Sequence, residues 1–105
     1  MDSRQFEVQI SEAGGELLVE LIGWMDIVTS AKFRAAMTKA THATKANVVL
    51  DCARLDYIDS SAMGSILFWR EKLAADHRSI AFVNCRGDVL DAMKLGGFPR
   101  IFTFR

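Results

Sequence analysis

The apolar positions of this chain change period along its length, and the changes mark out its elements. Phe6, Val8 and Ile10 alternate with polar residues, the period of a half-exposed strand. Gly14-Gly15 reads as a turn. Leu17 to Ile22 forms a second, more apolar strand, so the two pair as a hairpin. Gly23 breaks that strand, and Gly23-Trp24-Met25-Asp26 reads as a loop into a helix capped by Thr29 or Ser30. Phe33, Ala36, Met37 and Ala40 give this helix one apolar stripe, with Lys32, Arg34 and Lys39 left to solvent. Val48 to Cys52 lacks polar alternation and predicts a central strand, buried on both faces or lying mid-sheet.

Asp59 or Ser60 caps a second helix that runs to about Ala75. At 100° per residue, Ala62, Ile66, Trp69 and Leu73 centre its apolar face, flanked by Met63 and Leu67. Ser60, Gly64 and Glu71 fall on the far rim, and Ser61 and Phe68 lie opposite the core. Ser79 to Asn84 is a further strand. Asp88 to Leu95 is a short helix, stopped by Gly96-Gly97 and kept from resuming by Pro99. Ile101 to Arg105 is a last short strand. The order is ββαβαβαβ. Strands joined through helices run parallel while the hairpin is antiparallel, so the fold class is α/β with a small mixed sheet.

Composition narrows the function. With 105 residues the chain forms one domain over 1–105, large enough for a single core. Thirteen basic residues balance thirteen acidic ones. No bulk charge therefore recruits nucleic acid or anionic lipid. No apolar run reaches the roughly 20 residues needed to cross a bilayer, and the polar start, Met1 to Gln5, is not a secretory signal. Cys52 and Cys85 near strand ends read as reduced, buried or half-buried thiols. With His42 and His77 they make no metal-ligand spacing.

The chemistry-bearing segment is Asp59-Ser60-Ser61-Ala62-Met63-Gly64, between an apolar strand and an amphipathic helix. The plain reading is a helix cap, which one of the three polar residues would satisfy. A hydroxyl at a helix N-terminus also suits anion binding or carrying a phosphate, because unpaired N–H groups and the positive dipole end gather there. Both serines fall on the outer rim, beside Gly64 and an outward Phe68, a plausible docking patch. A hydrolase elbow needs glycine two positions before its serine, where Ser60 has Ile58. Asp51 ends an apolar strand as a receiver-domain phosphoacceptor does, but the acidic pair and lysine of that metal site are missing. Gly87 and Gly96-Gly97 fit neither dinucleotide nor Walker loops.

The residues Gly23-x-x-Asp26, Val48-Val49-Leu50-Asp51, Ile58-Asp59-Ser60-Ser61-x-x-Gly64, Ile80 to Asn84 and Leu95-Gly96-Gly97-Phe98-x-x-Ile101-Phe102 together resemble a STAS domain. The resemblance is closest to the bacterial anti-sigma factor antagonists and covers nearly the whole chain. It implies helices packed mainly on one face of the sheet, no enzymatic activity, no cofactor and a cytoplasmic protein, monomeric when free. It implies partner switching: the unphosphorylated protein binds an anti-sigma factor that is also a serine kinase. Phosphorylation on Ser60, with Ser61 as second choice, releases it, and a serine phosphatase resets it. In that scheme Asp26, Asp59, Ser60, Ser61, Gly64 and Phe68 form the partner-binding surface. A scaffold subunit of a stress-signalling or lipid-transport complex, not switched by phosphate, is the alternative. The chain departs from the family pattern in two places. Ala62 stands where a glycine is usual, which is expected to narrow the space for a partner's backbone, and the family usually has one more helix after the last strand, where this sequence stops at Arg105.

Overall fold

A computed structural model describes residues 5–105. Its elements follow the expected order: β1 (Phe6–Ala13), β2 (Glu16–Met25), α1 (Ser30–Ala43), β3 (Val48–Ile58), α2 (Ser60–Ala74), β4 (Ile80–Val83), α3 (Gly87–Leu95) and β5 (Thr103–Phe104). A short 3-10 turn, Phe98–Arg100, precedes β5. The five strands form one mixed sheet in the order β1-β2-β3-β4-β5. The hairpin pair β1·β2 is antiparallel and every later pair is parallel. Each parallel crossover therefore moves one strand in the same direction. Crossovers of one hand then place all three helices on the same face.

The core lies between that face and the helices. Leu17, Val19 and Leu21 of β2, Val48, Leu50 and Cys52 of β3, and Ile80 and Phe82 of β4 point into it. They alternate with residues of the other face, as the period of a strand requires. From the helices come Phe33 and Met37, then Ala62, Ile66, Trp69 and Leu73, then Val89 and Met93. The four apolar residues expected to centre the second helix are the four buried ones. Phe82 anchors an aromatic group with Phe98, Phe102 and Phe104, ring centroids 4.9 to 6.0 Å away. Contacts of this kind fix β5 against the sheet although it has only two residues.

The structure corrects several boundaries. Gly23 does not end β2. It takes φ +96° and shifts the register against β3, and the strand then continues to Met25 opposite Ile58. A Cβ at Gly23 would lie 2.1 Å from the Gln5 carbonyl oxygen. Glycine here makes a bulge where its sequence signal suggested a loop. β3 runs on past Cys52 to Ile58 because β2 pairs with it along its length, while β4 pairs only with Val48 to Asp51. Beyond Asp51 buried Cys52, Leu55 and Ile58 are separated by pairs of more exposed residues, among them Arg54 and Asp56, where the register against β2 shifts. β4 is shorter than expected at both ends, and α3 starts one residue earlier. Pro99 sits in the 3-10 turn, so the last strand begins at Thr103 instead of Ile101. Among the described residues no helix is long and apolar enough to cross a membrane.

Candidate functional site

The parallel strands β2 and β3 end together, and their ends build the site. The backbone ties them directly: the N–H of Asp59 donates to the carbonyl of Met25 at 3.1 Å. Asp26 follows β2 and Asp59 follows β3, both half-buried. One oxygen of Asp26 accepts the N–H groups of Val28 and Thr29 at 3.0 and 2.9 Å. The Thr29 hydroxyl donates to the Trp24 carbonyl at 2.7 Å. Thr29 occupies the N-cap position of α1 but makes no side-chain cap, and Ser30 does not make one either. The turn formed by Asp26 organises the entry to α1 in their place.

Asp59 does two things at once. Its Oδ1 accepts the N–H of Ala62 at 2.8 Å, which makes it the N-cap of α2. Its Oδ2 accepts the N–H of Ile27 at 3.1 Å, pinning the β2–α1 loop beside the start of α2. That loop carries Ile27 and Val28 with 69% and 79% of their surface exposed. Two adjacent apolar residues held out by defined hydrogen bonds were missed in the sequence, where Ile27-Val28 reads as part of a helix entry.

Because Asp59 supplies the cap, the serines are not needed for it. Ser60 and Ser61 are both exposed, and neither hydroxyl hydrogen-bonds another described residue. Ser60, Gly64, Leu67 and Glu71 follow at helical spacing and are all exposed. Ser61, Gly64 and Phe68 form the adjacent stripe, with Phe68 55% exposed. A Cβ at Gly64 would meet no atom within 4 Å. The fold brings Asp26 and Asp59 together at one end of the domain, with Ser60, Ser61 and Gly64 at the start of α2 and Phe68 further along its exposed side. Ala62 is the exception to the expected arrangement. It is wholly buried, so it fills core space and narrows nothing on the partner side.

Neither histidine of the chain lies at the start of α2. His42 lies in the last turn of α1, and His77 lies beyond the end of α2, whose first residue is Ser60. A 15-residue helix is roughly 22 Å long, so His77 cannot reach Ser60. A cavity of about 450 Å³ lies far from this end, between the hairpin and the C-terminal half of α1. Trp24 is half-buried and stacks on Tyr57 at 4.2 Å between ring centroids.

A family model described as STAS domain matches residues 7–105. A curated STAS-domain-containing protein of Pseudomonas aeruginosa strain UCBPP-PA14 is 28% identical over 92 residues, which is 88% of this chain and 90% of that one. An anti-sigma factor antagonist from Mycobacterium paratuberculosis superposes with a TM-score of 0.86 at 18% identity, covering 98% of this chain and 87% of the other. The anti-sigma factor antagonist SpoIIAA in its unphosphorylated form gives 0.79 at 20% identity over 94% and 88% of the two chains. The Bacillus cell fate determinant SpoIIAA in its phosphorylated form gives 0.70 at 18% identity over 96% and 91%. At these identities the solved structures establish the shared fold, and the family match covers almost the whole chain: this protein belongs to the STAS-domain family.

Proposed function

We propose that this protein is a cytoplasmic anti-sigma factor antagonist that works by partner switching, with Ser60 as the phosphorylated residue. The observation that carries the reading is the division of labour at the start of α2. Asp59 caps the helix, and the exposed Ser60 hydroxyl beside it is left without a structural task. A serine that the fold does not use, on a helix N-terminus and next to a held-out apolar loop, is accessible to a kinase and central to a docked partner.

The electrostatics favour a switch of affinity over a switch of fold. A phosphate brings about −1.5 to −2 charge. The N-terminus of α2 tolerates that charge through its dipole and free N–H groups. A partner seated on Ile27, Val28 and Phe68 against a neutral hydroxyl does not, because the dianion must be desolvated beside the Asp59 carboxylate. The unphosphorylated form therefore binds an anti-sigma factor with serine kinase activity, and the phosphorylated form leaves it until a serine phosphatase restores the hydroxyl. The relatives support this reading. Two of the superposable proteins are described as anti-sigma factor antagonists, and SpoIIAA occurs in unphosphorylated and phosphorylated forms.

The test is phosphate mapping. The protein is incubated with ATP and candidate anti-sigma factor serine kinases from the same genome, and the modified peptide is sequenced by mass spectrometry. Phosphate on Ser60 is expected. A chain that takes up no phosphate on Ser60 or Ser61 returns the protein to the role of an unswitched scaffold subunit.

A further inference from the structure

Two thiols meet where β4 ends. Cys52 faces the helix layer from β3 and is 1% exposed, while Cys85, just past β4, is half-buried against the same core. The register explains the meeting. Asp51 pairs with Val83, so Cys52 lies level with Asn84, and Cys85 is the next residue. Asn84 takes φ +61° and ends the strand there. Its side chain is anchored across the pair, donating to Asp51 Oδ1 at 2.9 Å. Cys85 also borders a surface cavity of about 280 Å³ with Ala53, Asn84 and Arg86.

The two sulfurs have different chemistry. The neighbouring Cys85 sulfur, together with burial, pushes the ionisation of the Cys52 thiol far up. The Cys52 thiol beside it holds Cys85 below the ordinary thiol value, against the opposing effects of desolvation and the Asp51 charge. The reachable thiol is thus the one that ionises, and the buried thiol keeps its proton beside it. An accessible thiolate next to a second thiol is the arrangement of an attacking and a resolving cysteine.

We propose that Cys85 and Cys52 are a reversible oxidation site for hydroperoxides. The Cys85 thiolate attacks the peroxide, forming an S–O bond and breaking the O–O bond. The departing hydroxide or alkoxide takes up a proton, and Cys85 becomes a sulfenic acid. Cys52 then loses its proton and attacks the Cys85 sulfur. The S–S bond forms, the S–O bond breaks, and water leaves. A thiol reductant attacking the accessible Cys85 sulfur reverses the step and returns Cys52 as a thiol. The disulfide links β3 to the β4–α3 turn, and it is independent of what Ser60 does.

The full chain is titrated with hydrogen peroxide and followed by intact mass, thiol alkylation and peptide mapping. The expected product is a monomer lighter by two hydrogens, with Cys52 and Cys85 in one crosslinked peptide, fully reversed by dithiothreitol. In the Cys52→Ala variant a sulfenic-acid probe such as dimedone is expected on Cys85, and in Cys85→Ser the buried Cys52 is expected to stay a thiol. Wild-type protein that keeps both alkylatable thiols under peroxide overturns the proposal, as does an exclusively intermolecular disulfide or faster oxidation of Cys52 than Cys85. The wild-type result decides even where a variant folds poorly.

Discussion

Asp59 accepts the backbone N–H of Ile27 across 32 residues of chain, with the carboxylate that also caps α2 through Ala62. One side chain therefore sets the helix carrying Ser60 and the loop carrying Ile27 and Val28 in a fixed relation. Asp59→Ala removes both bonds. Loss of an N-cap costs about 0.5–2 kcal/mol, and for a domain of this size each 1 kcal/mol lowers Tm by roughly 4–8 °C. Thermal unfolding is expected to show a drop of roughly 2–16 °C. Asp59→Asn, which keeps the acceptor facing Ala62, is expected to recover most of it.

Gly23 occupies a conformation that no L side chain adopts easily, with the Gln5 carbonyl where its Cβ would be. Gly23→Ala forces either the β1 end or the bulge to move. Backbone strain of this kind is worth on the order of 1–3 kcal/mol, and urea unfolding of the variant is expected to show a loss of at least that order. An unchanged midpoint would mean that the bulge relaxes freely.

Arg78 is 8% exposed and serves as the C-terminal fastener of α1. Its guanidinium donates to the carbonyls of Ala46, Thr41 and Thr44 at 3.0, 3.1 and 2.8 Å. These are carbonyls that a helix end and the turn after it leave without partners. Arg78→Met is expected to destabilise the protein by about 3 kcal/mol, since charge-assisted bonds are lost and buried acceptors orphaned. Arg78→Lys is expected to recover only part, because one ammonium cannot reproduce the fork. Denaturant titration of the three proteins checks the order.

Arg105 and Glu16 form a two-pronged ion pair, 3.0 and 2.8 Å, between the last residue and the start of β2. The hydrogen bond from Arg105 lowers the Glu16 pKa below its ordinary 4.5. A lowered carboxylate pKa means stabilisation that is complete above 4.5 and is lost as pH falls through the folded-state value. The stability difference between wild type and Glu16→Gln is therefore expected to vanish in acid. It should also shrink at high salt, because both groups are exposed. Unfolding midpoints across the acid range, at low and high ionic strength, measure this.

The sequence disclosed most of the fold because its periods change cleanly: alternation in β1, a continuous apolar run at the start of β3, and a four-residue buried stripe on α2. It hid the later half of β3, where Asp51, Arg54 and Asp56 interrupt the run although β2 keeps pairing alongside. It hid the bulge at Gly23 for a different reason. Glycine signals a conformation with positive φ, and the same signal serves a loop and a bulge. The start of α2 was legible as a capping segment, but the roles of its residues were not. Asp59, Ser60 and Ser61 all qualify as caps in one dimension, and only the contacts of Asp59 with Ala62 and Ile27 show which one does the capping. The partnership of Cys52 with Cys85 depends on strand register, which no local pattern encodes.

The central claim is that charge on Ser60 governs partner affinity, and the direct measurement is the Kd of the anti-sigma factor kinase identified by phosphate mapping for the unphosphorylated and Ser60-phosphorylated proteins. A coupling of a few kcal/mol predicts affinity lower by about a hundredfold for the phosphoprotein. Ser60→Ala is expected to bind like wild type, and Ser60→Asp more weakly. Equal binding by the phosphorylated and unphosphorylated proteins would contradict the switch.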